Sequence, residues 1–275
     1  MARARQQLER VVLTLKKAGI DPLLIKGWAI GRLYPEPALR QWTDIDLICE
    51  PDQGAAARQL LGATEPLDVD LHEGWQHLAD LMGARPAQFP EQFMERSEII
   101  PLGSTTVRVL GAEDQLRLLC RHFLNHGGWR TIWLCDIAVA LESLPRAFDW
   151  DYLLSGASRR AVLWTTGLAG RLLGARLTGT PLERAPAHLP GWLEPSLLAQ
   201  WGSDYSPPGQ LDRIPRHPVW IARELWRHWP NAIQATFATD FPDDRIPRLP
   251  LQLLVYLQRG TAFARRGWKS PSPQR

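Results

Sequence analysis

The chain has 275 residues, of which 45% are hydrophobic and 22% charged, a composition that suits a globular protein with a real core. Its net charge of +3 and pI near 8.9 are too mild to argue for nucleic acid. No run approaches the ~18–20 consecutive apolar residues of a membrane span, and Glu9, Lys16 and Lys17 interrupt the apolar stretch that a signal peptide needs, so the chain is expected in the cytoplasm.

Leu8, Val11, Val12 and Leu15 recur at three- and four-residue intervals, which predicts an amphipathic helix over 2–18 closed by Gly19. Leu23-Leu24-Ile25 reads as a short buried strand ended by Gly27, followed by a short helix from Trp28 to Tyr34 that Pro35 and Pro37 stop. Thr43 to Cys49 alternates polar and apolar residues and predicts a strand with carboxylates on one face. A helix over 51–61 follows, with Pro51 near its start and Gly62 at its end. Leu67 to Leu71 alternates again, and 97–101 with 105–110 suggest a hairpin around Gly103-Ser104.

After Gly111 the pattern turns helical to about Leu177, with breaks at Gly127-Gly128 and around Pro145. The remainder mixes Pro-rich connections with helical segments near 218–228 and 249–264, and the tail from Arg266 is basic. The 23 prolines fit many short helices between turns. The three cysteines, Cys49, Cys120 and Cys135, are odd in number and form no C-x-x-C pair, which suits free thiols in a reducing compartment.

The chemistry concentrates between Leu23 and Glu50. Asp44 and Asp46 are two apart on a strand and leave the same face. Two like charges so close are unfavourable unless a cation or a proton relieves them, and magnesium is the usual hard-cation solution, since it takes oxygen ligands and keeps positions for phosphate oxygens. Gly27, at a strand-to-helix turn, lets a triphosphate approach the backbone and the helix N-terminus. Arg40 has the fork to hold the same phosphates bidentately, and Lys26 is placed to help, although a lysine at a strand end is as often simply solvated. A lone D-x-D on a strand carries little weight, because exposed strand faces often bear two acids. The K-G turn and the second alternation, Asp68, Asp70 and His72, add to it: one of those acids, Asp68 or Asp70, completes a three-carboxylate site drawn from two strands.

These residues resemble the nucleotidyltransferase superfamily, with its polymerase-beta-like fold, a glycine turn, a D-x-D strand and a third acid on another strand. More closely, the chain resembles a bacterial family of uncharacterised nucleotidyltransferases through Ile25-Lys26-Gly27, Tyr34-Pro35, Arg40, Asp44-Ile45-Asp46-Leu47 and Asp70-Leu71-His72. Glu113 to His126 and Trp133 to Asp136 continue the likeness, which covers roughly residues 5–180. Two departures stand out. Trp28 follows Gly27 where the superfamily has a second glycine or a serine, and the interval from Gly27 to Asp44 is longer than is common.

The resemblance implies an α+β fold, a small mixed sheet flanked by helices and followed by a mostly helical C-terminal region. It implies a nucleotidyltransferase α/β domain over 1–111, a helical domain over 112–180 that completes the cleft, and a Pro-rich helical extension over 181–275. Asp44 and Asp46 would ligate Mg2+, Asp70 would hold the second metal or take the acceptor proton, and Lys26, Gly27 and Arg40 would position the triphosphate. Family position also places His72, His122 and His126 toward substrate.

His122 and His126 are spaced i, i+4 on a predicted helix, a metal-binding spacing with no third ligand in view, and a capping or core role is as good an account. Arg121, Arg130 and Asp136 fall in the same category, an Arg130–Asp136 pair being enough to brace helices. Trp129, Trp133, Trp150 and Trp164, four of thirteen tryptophans, fit helix packing better than a stacking platform, and the segment holding Trp220, Trp226 and Trp229 is either a partner surface or a packed helix.

The sequence therefore supports an enzyme that moves a nucleoside monophosphate from a nucleoside triphosphate to a hydroxyl of a small molecule, sugar or peptide. The competing reading is a catalytically silent nucleotide-binding or interaction module of a biosynthetic or defence system. An RNA-directed enzyme is disfavoured, because no long basic stripe is present.

Overall fold

The computed structural model describes residues 2–62, 68–82, 89–203, 227–241 and 244–267. The chain forms two compact units, one of Met1–His122 with Ile132–His188 and one of Phe123–Thr131 with Leu189–Arg275.

The first unit is built on a five-stranded mixed sheet of order β3-β2-β1-β5-β4, with β1 Leu23–Ile25, β2 Asp44–Cys49, β3 Asp68–Glu73, β4 Glu98–Leu102 and β5 Thr105–Val109. β1 runs antiparallel to β2 and parallel to β5, and β2 runs parallel to β3. Among the described residues β3 and β4 are the outer strands, and β4 pairs antiparallel with β5, with Pro101 opposite Thr106.

Helix α1 (Ala2–Lys17) lays Leu8, Val11, Val12 and Leu15, all at most 1% exposed, on one sheet face, where they meet Leu24, Ile45, Leu47, Val107 and Val109. Full burial of such a side chain contributes about 1.5–3 kcal/mol, so this stripe is what seats α1. The opposite face carries Leu23, Ile25 and Ile48 against Trp75, Leu78, Phe93 and Leu118. A 3₁₀ turn, Pro51–Gln53, leads into α3 (Gly54–Leu61), so the helix read over 51–61 begins with a tighter turn at its proline. Helix α2 spans Gly27–Gly31, shorter than the Trp28–Tyr34 read from the sequence.

Two short helices, α4 (Gln76–Met82) and α5 (Phe89–Arg96), occupy an interval to which the sequence assigned no element. At seven and eight residues they show barely two turns of periodicity each, too little for a pattern to register. Helices α6 (Ala112–Asn125), α7 (Thr131–Glu142), α8 (Trp150–Leu153) and α9 (Arg159–Leu173) follow the hairpin. The architecture is α+β, with a helical C-terminal region.

The second unit holds α10 (Leu193–Trp201), α11 (Ala232–Ala238) and α12 (Leu249–Gly267). The Gly127-Gly128 turn is fixed inside this unit: Asn231 Nδ2 donates to Gly127 O at 2.7 Å and Trp201 Nε1 to Gly128 O at 2.7 Å. Ala235, Leu251 and Val255 form one buried apolar cluster in it. The helix expected near 218–228 lies outside the described residues up to Trp226, as do Leu67, Trp220 and the tail from residue 268. Among the described residues no helix is long and apolar enough to cross a membrane. Cys49 and Cys120 are buried free thiols and Cys135 is half-buried; burial pushes the Cys120 thiol up to about 12.

Candidate functional site

Register decides which side chains meet. Asp44 of β2 pairs with Asp68 of β3, Asp46 with Asp70, and Ile48 with His72, while Ile25 of β1 pairs with Asp46. Paired residues share a face, so Asp44, Asp46, Asp70 and His72 stand on the side of Leu23, Ile25 and Ile48. That face is apolar toward the ends of β2 and β3, where Ile48 joins the core with Trp75, and acidic where those strands begin and β1 ends. The side chain of Asp68 lies outside what the structure describes.

Asp46 is the buried member, 5% exposed, whereas Asp44 and Asp70 are exposed. Lys26 Nζ donates to Asp46 Oδ1 at 3.0 Å. His72 Nε2 is 3.2 Å from Asp70 Oδ2. One ligating atom each from Asp46, Asp70 and His72 lies within 4.8 Å of the others. Burial raises the Asp46 carboxyl above its ordinary range, Lys26 pulls it back, and the charges of Asp44 and Asp70 push it further up. Burial also lowers His72 below its ordinary value; Asp70 opposes this and Lys26 adds to it. A buried carboxylate crowded by two others and flanked by an imidazole is a donor set that suits a divalent cation.

The backbone beside this cluster is strained. Lys26 takes φ +54° and ψ −149°, and Gly27 φ +38°. A lysine at positive φ costs on the order of 1–3 kcal/mol; here that conformation carries the ammonium to Asp46 and turns the chain into α2. A Cβ on Gly27 would sit 3.4 Å from Asp44 O and 3.8 Å from the Cβ of Trp42, ordinary contacts, so conformation rather than space excludes a side chain. Gly27→Val is therefore expected to lose about 1–2 kcal/mol in chemical unfolding; an unchanged midpoint would show that the turn relaxes.

Arg40 is committed elsewhere. Its Nε and Nη2 donate to the two carboxylate oxygens of Asp136 at 2.7 and 2.9 Å, and Tyr34 Oη donates to Asp136 Oδ1 at 2.7 Å. The fork read from the sequence as a phosphate clamp holds a carboxylate of α7, and Asp136 takes Arg40 and Tyr34 as partners. Tyr34 received no role in the sequence reading, and its only signal was its place beside Pro35.

The two helical histidines do not share a helix. Gly128 N donates to Phe123 O at 2.7 Å and Gly127 N to Leu124 O at 2.9 Å, a Schellman closure with both glycines at positive φ, so α6 stops at Asn125. His126 is exposed in the turn beyond, and half-buried His122 sets its ring edge-on to Trp133 at 4.5 Å. The tryptophans take separate neighbours: Trp150 meets Phe148, Trp164 lies under Arg160, and Trp129 under Arg130.

A family model described as "Uncharacterised nucleotidyltransferase" matches residues 2–65 and 63–178. Among solved structures, the chain is similar to the crystal structure of an antigenic nucleotidyltransferase-like protein from Paracoccidioides brasiliensis, with 16% identity and a TM-score of 0.47 over 65% of this chain and 94% of that one. No match was found among curated protein sequences.

Proposed function

The chain belongs to the family of uncharacterised nucleotidyltransferases, and from that premise we propose that it transfers a nucleoside monophosphate from a nucleoside triphosphate to a hydroxyl of a small-molecule, sugar or peptide acceptor. The observation that carries the reading is the meeting of Asp46, Asp70 and His72 within 4.8 Å at the strand ends, beside the Lys26-Gly27 turn.

In this proposal Asp44, Asp46 and Asp70 hold Mg2+, and the crowded carboxylates of the site fit that role because Asp44 and Asp70 both destabilise the charge on buried Asp46. Bound magnesium would supply charge stabilisation at the phosphoryl oxygens. The acceptor oxygen attacks the α-phosphorus, the bond from that phosphorus to the bridging oxygen breaks, and pyrophosphate leaves with the electron pair. Asp70, exposed at the mouth of the site, takes the acceptor proton on a carboxylate oxygen. Gly27 admits the triphosphate close to the backbone, and Lys26 leaves Asp46 to meet a phosphate oxygen. Positioning and charge supply most of the catalysis in such a reaction.

The test is pyrophosphate release from each nucleoside triphosphate with Mg2+ and a panel of hydroxyl acceptors. Release is expected in the wild type and is expected to vanish in the double variant Asp44→Asn, Asp46→Asn, with circular dichroism unchanged. Undiminished release in that variant would remove the assignment. The second reading, a silent nucleotide-binding module, is favoured by one observation: an ammonium against Asp46 at 3.0 Å already neutralises the buried carboxylate. Nucleotide binding without pyrophosphate release for any acceptor would select it.

A further inference from the structure

We propose that His72 Nε2 is itself a ligand of the cation site, making it a mixed carboxylate–imidazole site that takes Mn2+ in preference to Mg2+. The inference rests on the proposed cation site but goes beyond it, since three carboxylates alone would make a hard, oxygen-only site.

Geometry carries the argument. In an octahedral shell with bonds of about 2.1–2.2 Å, neighbouring ligand atoms are about 3.0 Å apart. His72 Nε2 and Asp70 Oδ2 are 3.2 Å apart, and the donor atoms of Asp46, Asp70 and His72 all fall within 4.8 Å of one another. The three thus occupy one coordination-sized space. His72 is not a loose surface histidine: its side chain is 16% exposed and it pairs, near the end of β3, with Ile48 of the core. Asp46 is more deeply held still, 5% exposed, with the Lys26 ammonium 3.0 Å away.

Ligand chemistry then sets the preference. Mg2+ demands oxygen, dehydrates reluctantly and gains little from an imidazole. First-row transition ions accept imidazole readily, and Mn2+ is the member that also keeps the carboxylate and phosphate-oxygen habits of magnesium. A site that adds one fixed imidazole to its carboxylates therefore discriminates between two ions that an all-oxygen site would treat more alike. The simpler account, a surface carboxylate hydrogen-bonded to a neighbouring histidine, predicts no such discrimination and no nitrogen at the metal.

The full-length protein is titrated with MnCl2 and with MgCl2 by calorimetry, and the Mn2+ complex is examined by pulsed electron paramagnetic resonance. The wild type is expected to bind Mn2+ at least about tenfold more tightly than Mg2+ and to show nitrogen hyperfine coupling at the manganese. His72→Ala is expected to lose the coupling and on the order of tenfold in Mn2+ affinity, with Mg2+ affinity little changed, whereas Asp70→Asn weakens both ions. A wild-type spectrum without nitrogen coupling, or an equal Mn2+/Mg2+ affinity ratio in wild type and His72→Ala, would overturn the proposal. The wild-type spectrum decides the matter even if a variant does not fold. Nitrogen-coupled Mn2+ without pyrophosphate release would instead count against the transferase reading and uphold this one.

Discussion

Asp136→Ala is expected to lose about 3–5 kcal/mol of stability, the cost typical of breaking a buried ion pair from one side. Asp136 is 1% exposed and receives three hydrogen bonds, two from Arg40 and one from Tyr34. Its removal strands a guanidinium that is itself only 11% exposed. Tyr34→Phe removes a single bond to a charged acceptor and is expected to cost less, about 1.5–3 kcal/mol. Denaturant unfolding of the two variants checks both figures, and equal midpoints for wild type and Asp136→Ala would show that the carboxylate is not the anchor. The pair also ties the stretch between α2 and β2 to α7, and that stretch leads into Asp44. Loss of the pair is therefore expected to reduce nucleotide turnover under conditions where the variant remains folded.

Asp114→Asn is expected to flatten the pH dependence of stability between about pH 4 and pH 6. Asp114, in the first turn of α6, is fully buried. Its Oδ1 accepts a hydrogen bond from Tyr152 at 2.7 Å, while its Oδ2 has no hydrogen-bond partner among the described residues. The Tyr152 ring lies between the guanidinium groups of Arg96 and Arg117, at 3.6 and 4.0 Å from its centroid. Burial lifts the Asp114 carboxyl from 3.8 to about 6, outweighing the downward pull of Tyr152, Arg117 and Arg96, while Glu113 adds to the rise. The folded chain thus keeps a proton that the unfolded chain has released. The resulting stability is complete below pH 3.8 and is lost as pH rises through about 6. A shift of this size corresponds to roughly 3 kcal/mol at most. An asparagine does not titrate, and its Oδ1 still accepts from Tyr152. Urea unfolding across pH 4–7 checks this, and identical slopes in the two proteins would refute it.

Both sheet alternations were readable in the sequence because strand faces repeat every second residue, a signal that needs no distant partner. The same holds for α1, whose apolar stripe is local, and for the helix stop at Gly127-Gly128. What the sequence could not show was where Arg40 spends its fork, since the carboxylate it meets lies 96 residues away and nothing local distinguishes a phosphate clamp from a brace. His126 falls outside the helix expected to carry it for a smaller reason. The i, i+4 spacing presumes a continuous helix, and the glycine closure withdraws the last turn one residue before it. The alternation of His72 with Asp70 fixes a face but not a distance; only the fold brings Nε2 to 3.2 Å from the carboxylate.

The outer position of β4 bears on how the protein behaves at high concentration. An open strand invites a neighbouring chain to add to the sheet, the first step toward aggregates. Pro101 lacks an amide hydrogen and its ring does not fit the middle of a sheet, while on the opposite side β3 carries the exposed carboxylate of Asp70. One flank repels by shape and the other by charge, and among the described residues the sheet has five strands.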